Sequence, residues 1–257
     1  MFIRRSGAMA GCNHSRFVIW RTRCHRRIYW AAISQSHTET LSMTHKPVLI
    51  FDLDGTLIDS APSILASFAM VLKEAGMTAK VPLANKLIGP PLQETLSILT
   101  GVDDLHIINT YVESFKRHYD ASGYKETKVY SGVPELLATL HASGFMLHLA
   151  TNKRLAPTRL ILDYLGWNSY FQSVYTLDLF NPRLPDKGSL LECLLTEQTL
   201  RPSEVLYIGD KMEDALSAEQ NDMAFLGVAW GYGDFDSACK WRVLNSPASL
   251  LQQVRND

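Results

Sequence analysis

At 257 residues, 46% of them hydrophobic, the chain can bury a substantial core and hold one large domain or a domain with an insert. No uninterrupted apolar run approaches the roughly 18 residues needed to cross a bilayer, and a formal net charge of -1 gives no broad attraction to nucleic acid. Neither a membrane protein nor a DNA binder is favoured.

The charge is unevenly spread. Residues 1–44 hold seven Arg and one Glu, leaving 18 Lys+Arg against 25 Asp+Glu in the rest, so this leader carries +6 and the remainder -7. Arg4, Arg5, Arg16, Arg21, Arg23, Arg26 and Arg27 stand among Ser and His with almost no acid. That composition suits an unstructured extension, an organelle transit peptide or a nucleic-acid-binding arm, and Met43 leaves an upstream start codon open as well. The plain unstructured tail is the expectation. Cys12 and Cys24 fall in the leader, Cys193 and Cys239 stand far apart in the body, and there is no CxxC pair. Neither a disulfide framework nor a cysteine metal site is expected, which points to a reducing cytoplasm.

The first strand is a short apolar run at 47–51, which runs out into Phe51-Asp52-Leu53-Asp54-Gly55-Thr56-Leu57. Carboxylates two positions apart repel unless they share a cation, and the carboxyl edge of an open α/β sheet is where a ligand crevice forms. Asp52 and Asp54 therefore suit an oxygen-ligated ion such as magnesium. A polar turn is the plain alternative for a bare DxD; the apolar approach and the Gly-Thr exit make this pattern more specific.

Helical spacing follows at 62–75, opened by Pro62 and ended before Gly76, at 92–99, stopped by Gly101, and at 104–121, stopped by Gly123. The stretch between the first strand and the next is far longer than one crossover helix requires. Residues 62–128 are therefore expected to form an inserted helical cap, with an α/β catalytic core made of 45–61 and 129–257.

Beyond the cap, strands at 145–150, 174–177, 205–208 and 225–228 alternate with helices at 133–143, 157–165, 187–200 and 213–221, the rhythm of a doubly wound parallel sheet covered on both faces. The strand at 145–150 ends in Thr151-Asn152-Lys153, where a hydroxyl and adjacent N–H groups can hold phosphoryl oxygens or simply cap a helix. His148 reads as packing, and Lys153 as facing solvent or substrate. Lys187 opens a helical pattern; a fixed ammonium there would offset repulsion between a nucleophile and a phosphate, although an isolated lysine is usually a solvated surface group. Arg183, just upstream, is a weaker candidate for phosphate or substrate binding. The strand at 205–208 ends in Gly209-Asp210-Lys211-Met212-Glu213-Asp214. A second acid four residues after the first approaches the same space from the start of a helix. Asp210 is thus expected as a direct metal ligand, and Asp214 as a group acting through water or orienting the others. Lys211 and Glu213 read as surface charges.

These four sites resemble, in order, the four motifs of the haloacid dehalogenase superfamily, with the likeness running over residues 47–235. The resemblance implies that Asp52 is the nucleophile of an aspartyl-phosphate, that Asp54 is general acid and base, and that Thr151, Asn152 and Lys187 bind phosphate. It further implies Mg2+ held by Asp52, the backbone carbonyl of Asp54 and Asp210. Asp54 favours phosphate chemistry, because the dehalogenases that are similar lack this acid. The Ile88-Gly89-Pro90-Pro91-Leu92 turn, the Thr-Asn-Lys segment and Trp230-Gly231-Tyr232-Gly233 look like the phosphoglycolate phosphatase branch; Ser131 in place of a hinge proline and Lys211 in place of a small residue depart from it. The implied activity is magnesium-dependent hydrolysis of a small phosphorylated metabolite, phosphoglycolate-like, nucleotide or sugar phosphate, by a monomer or homodimer that engages neither nucleic acid nor membrane. A sugar-phosphate mutase using the same aspartyl-phosphate and a non-catalytic binding protein on this fold stay open as alternatives.

Overall fold

The computed structural model of the protein describes residues 46–256 except 234, 237 and 238. The Arg-rich leader, with Cys12, Cys24 and the readings attached to them, lies outside the described residues. Cys193 and Cys239 are free thiols.

Short apolar runs become the strands of one six-stranded sheet: β1 (Val48–Phe51), β4 (Leu147–Thr151), β5 (Ser173–Thr176), β6 (Val205–Gly209), β7 (Ala224–Val228) and β8 (Val243–Leu244). Their order is β5-β4-β1-β6-β7-β8 and every neighbouring pair is parallel. Side chains alternate across a strand, so β1 feeds two cores. Leu49 and Phe51 join Leu147, Leu149 and Ile208 under α4 (Val133–Ala142), α5 (Leu155–Leu165) and α8 (Pro247–Asn256). Val48 and Ile50 join Tyr207 and Val205 under α6 (Lys187–Glu197) and α7 (Met212–Gln220). Burial on both faces is why these strands read as continuous apolar runs.

From β1 the chain moves outward through β4 to β5, then crosses back to lay β6 on the other side of β1. The carboxyl end of β1 therefore sits at the point where strand order reverses, which is where open α/β sheets leave a crevice.

Between two short strands, β2 (Ile58–Asp59) and β3 (Lys128–Val129), the chain forms three α-helices, α1 (Ala61–Glu74), α2 (Leu92–Thr100) and α3 (Leu105–Ala121), joined to the core through the antiparallel pairing of β2 with β3. Ile64, Phe68 and Val71 of α1 meet Ile108, Val112, Phe115 and Tyr119 of α3, each set spaced three or four residues apart on one helix face, in a core of their own. Asp104 caps α3 by accepting from the amides of His106 and Ile107 at 2.8 and 3.2 Å.

Three features differ from the sequence expectation. The hinge pair β2 and β3 and the edge strand β8 are two residues long, too short for an alternating pattern to register. Helix α8 was also not anticipated; Leu250 and Val254, one turn apart, anchor it to the core. Helix α6 ends at Glu197 rather than running to 200, and Thr199 then takes a positive φ of 54°.

Candidate active site

The strand ends deliver the acids. Asp52 follows directly on β1, its amide donating to the carbonyl of Ile208 at 2.9 Å, and is 4% exposed. Asp210 follows β6 and is fully buried, and Asp214 lies in the first turn of α7. One carboxylate oxygen from each of Asp52, Asp210 and Asp214 falls within 4.8 Å of the others. The intervening loop must pass close to this cluster: Gly55 has φ +91°, and a Cβ there would run into the Asp210 carboxylate. Only glycine meets both demands.

Lys187, the first residue of α6, places its Nζ 2.8 Å from Asp52 Oδ1 and 2.6 Å from Asp214 Oδ1. Tyr207 donates its hydroxyl to the same Asp214 oxygen at 3.1 Å, and the Lys211 amide donates to Asp214 Oδ2 at 3.0 Å. Burial works against the Lys187 ammonium, but the Asp214 and Asp52 carboxylates outweigh it and hold its pKa well above the ordinary value. Burial pushes the Asp52 carboxyl up to about 7; Lys187 opposes the rise and the charges of Asp214 and Asp210 add to it. Asp210 is pushed up to about 6 by burial and by Asp214, against the pull of the Tyr232 amide.

Three carboxylates facing one ammonium leave negative charge uncompensated in a buried place. Asp210 Oδ2 accepts from the Tyr232 amide at 2.7 Å, whereas its Oδ1 is buried with no hydrogen-bond partner among the described residues. A buried carboxylate oxygen without a donor is rare and costly. The all-oxygen donor set, the surplus negative charge and this orphaned oxygen together fit a hard divalent cation.

Asp54 stands apart from that cluster. Its Oδ1 accepts from the Ser60 hydroxyl, and its two oxygens lie 3.1 and 3.3 Å from Lys153 Nζ. Lys153 is 6% exposed along its side chain and its ammonium lies 4.7 Å from the centre of the Tyr119 ring. The solvent-facing alternative for Lys153 is therefore corrected, because Asp54, 99 residues away in sequence, and the Tyr119 face draw the ammonium inward. Lys211 is corrected too: half-buried, it donates its ammonium to the carbonyl of Ile88. Glu213 is exposed, as expected of a surface charge, and accepts from Asn152 Nδ2 at 3.0 Å.

Thr151 is buried at the end of β4, its hydroxyl accepting from the Lys153 amide at 3.2 Å; the side-chain oxygen of Asn152 is buried with no partner among the described residues. His148 packs inside the sheet, its Nδ1 2.6 Å from the Ser173 hydroxyl. Asp52, Asp54, Thr151, Asn152, Lys187, Asp210 and Asp214 thus converge on the carboxyl ends of β1, β4 and β6, whereas His148 does not. A cavity of about 340 Å³ opens over them, floored by Asp52, Asp54, Thr151 and Lys187 and roofed by Phe68, Phe115, Tyr119 and the turn from Ile88 to Leu92. Arg183 lies on its exposed rim. The cap is tied across this cavity by Arg154 of the core, which grips Asp120 of α3 through two bonds of 2.7 and 3.0 Å.

Comparison with known proteins agrees with this geometry. The family described as haloacid dehalogenase-like hydrolase matches residues 49–228. A 5'-nucleotidase of Pseudomonas aeruginosa is 33% identical over 194 residues, covering 74% of this chain and 86% of its own. A phosphoglycolate phosphatase of Aquifex aeolicus is 31% identical over 212 residues, covering 81% and 97%. A crystal structure described as a "predicted phosphatase" from Clostridium acetobutylicum superposes with a TM-score of 0.73 at 27% identity, over 82% of this chain and 99% of the other. The chain belongs to the haloacid dehalogenase-like hydrolases and is an enzyme of that class.

Proposed function

We propose that this protein is a magnesium-dependent phosphatase that hydrolyses a small phosphomonoester through an aspartyl-phosphate on Asp52. One observation carries the reading: the buried Asp52 carboxylate, held 2.8 Å from Lys187, opens into the same cavity as a second carboxylate, Asp54, that lies outside the acid cluster. One acid can attack while the other handles protons. The similarity to a 5'-nucleotidase and to a phosphoglycolate phosphatase supports the choice of a phosphomonoester.

In this reading the core comprises 45–61 and 129–257 and the cap 62–128. Asp52 attacks phosphorus as Lys187 and Thr151 hold the phosphoryl oxygens, and the ester bond to the leaving oxygen breaks. Asp54 gives that oxygen its proton. The same Asp54 then takes a proton from water, whose oxygen attacks the aspartyl-phosphate and frees inorganic phosphate and Asp52. Asp52, the backbone carbonyl of Asp54 and Asp210 would hold Mg2+, with Asp214 orienting the set through Lys187 and the Lys211 amide. Bound there, the ion would neutralise charge on nucleophile and phosphate that otherwise repel. The cap excludes bulk water, and its Ile88 to Leu92 turn reads the leaving group, which is phosphoglycolate-like, a nucleoside or a sugar. The setting is cytoplasmic; no helix of the described residues is long and apolar enough to cross a membrane.

Phosphate release from a panel of small phosphomonoesters, with and without magnesium, tests this with wild type and Asp52→Asn side by side. Magnesium-dependent release abolished in the variant is the expected result. Ordinary turnover by Asp52→Asn would remove the covalent mechanism, and turnover that needs a bisphosphate and leaves phosphate on the product would make the enzyme a mutase.

A further inference from the structure

The segment Trp230-Gly231-Tyr232-Gly233 has no part in the chemistry above, yet it wraps the acid cluster. Trp230 Nε1 donates to the Thr56 carbonyl at 2.9 Å. A Cβ on Gly231 would overlap both the Gly55 carbonyl and the Asp210 side chain, so the backbone is pressed against that acid. The next amide, from Tyr232, is the donor to Asp210 Oδ2.

The same residue reaches the other way with its side chain. The phenol oxygen of Tyr232 accepts from the amides of Ser60 and Ala61 at 2.7 and 2.9 Å and donates to Asp59 Oδ1 at 3.0 Å. Those amides open α1, where the first N–H groups of a helix have no partner within it. Ser60 occupies the N-cap position but makes no capping bond, because its hydroxyl is turned to Asp54. A tyrosine 172 residues away in sequence supplies the acceptor for Ser60 and the shorter of two for Ala61, whose amide also donates to Asp59 Oδ1 at 3.3 Å. Ser60 also adjoins β2, one of the two strands by which the cap joins the core.

We infer that Tyr232 is a positioning residue that couples the cap hinge to Asp210, its phenol capping the first cap helix while its own amide orients the carboxylate. The inference rests on Asp210 being a metal ligand. One rigid residue spans the two, so an ion drawing on Asp210 steadies the Ser60-Ala61 hinge, and a loosened hinge releases Asp210.

Hydrogen exchange at the Ser60 and Ala61 amides, in the full-length protein with and without magnesium, tests the coupling in wild type and Tyr232→Phe. Magnesium is expected to slow these amides in the wild type. In Tyr232→Phe they should exchange about tenfold faster, the worth of one well-made hydrogen bond, and cease to respond to magnesium, while the melting temperature falls by only a few degrees. Equal responses in both proteins would overturn the proposal. Calorimetric titration with magnesium separates the two readings. Binding without any exchange response defeats the coupling alone, whereas no binding by wild type defeats the metal assignment and the coupling with it. If Tyr232→Phe fails to fold, Asp59→Ala removes the phenol's acceptor; because Asp59 also accepts from the Ala61 amide, the Ser60 amide alone is read, its magnesium response should be blunted, and an undiminished response there overturns the proposal. In turnover assays a positioning role predicts a rise in KM and in the magnesium needed for half-activation in Tyr232→Phe.

Discussion

Lys187 at the start of α6 and Asp214 in the first turn of α7 lie 2.6 Å apart, and the same ammonium reaches Asp52 on the far side. A single buried cation therefore stands between two carboxylates that would otherwise repel. Replacing it leaves both uncompensated, and breaking a buried pair in this way costs about 3–5 kcal/mol. Lys187→Met is expected to lose that much stability in urea unfolding with EDTA present. Its turnover should fall about 100-fold or more, since a fixed charge aimed at the reacting group is removed. A variant that keeps wild-type turnover would exclude Lys187 from phosphate binding.

Metal removal gives a second prediction. The Asp52 carboxyl, raised from 3.8 to about 7, keeps its proton in the folded protein where the unfolded chain has lost it. The Asp52 contribution to stability without metal is therefore complete below the unfolded value and is lost as pH rises through about 7. Magnesium should cancel this decline by binding the ionised form, adding about 2.7 kcal/mol at a concentration 100 times its Kd. Asp210→Asn is expected to lose the magnesium-dependent rise in melting temperature. A metal-insensitive melting curve for the wild type would contradict the site.

His148 titrates with the opposite sign. Burial holds its pKa below 6.5, so the folded protein refuses a proton that the unfolded chain accepts. The stability associated with neutral His148 is complete above pH 6.5 and drains away as pH falls through the lower folded value. His148→Asn keeps a polar partner for Ser173 and removes the titration. Its unfolding free energy should decline less steeply than that of wild type in acid, whatever its absolute stability. Parallel slopes would show that His148 is charged in the fold.

The tie between Arg154 and Asp120 closes the cavity from its outer side, with both side chains about a quarter exposed (24% and 26%). Such pairs contribute about 0.2–1 kcal/mol, so Arg154→Ala and Asp120→Ala should leave the melting temperature nearly unchanged. Both should raise KM more than they lower kcat, and the double variant should match either single one. An effect confined to Arg154→Ala would make that arginine a substrate contact rather than a cap tie.

Much of this protein is written locally. Leu49 and Phe51 alternate with Val48 and Ile50, yet all four are buried, which is the mark of a strand covered on both faces. Each acid or hydroxyl of the four motifs comes just after such a run, or one helical turn later, so the strand ends that a parallel sheet must align bring Asp52, Thr151 and Asp210 together. The cap helices could be read from Pro62, Gly76 and Gly101, since breakers act within a few residues of themselves.

What only the tertiary structure decided is where long or aromatic side chains end. Lys153 turns to Asp54, Lys211 to the carbonyl of Ile88 and Tyr232 to the start of α1, across separations of 99, 123 and 172 residues. A flexible ammonium or a phenol goes to whichever partner the assembled walls leave unsatisfied, and no local pattern records that partner. The two-residue hinge strands have the same origin, since their pairing depends on the cap and the core meeting. Sequence alone determined which residues lie at the sheet's carboxyl edge; packing decided how the cap is fastened over them.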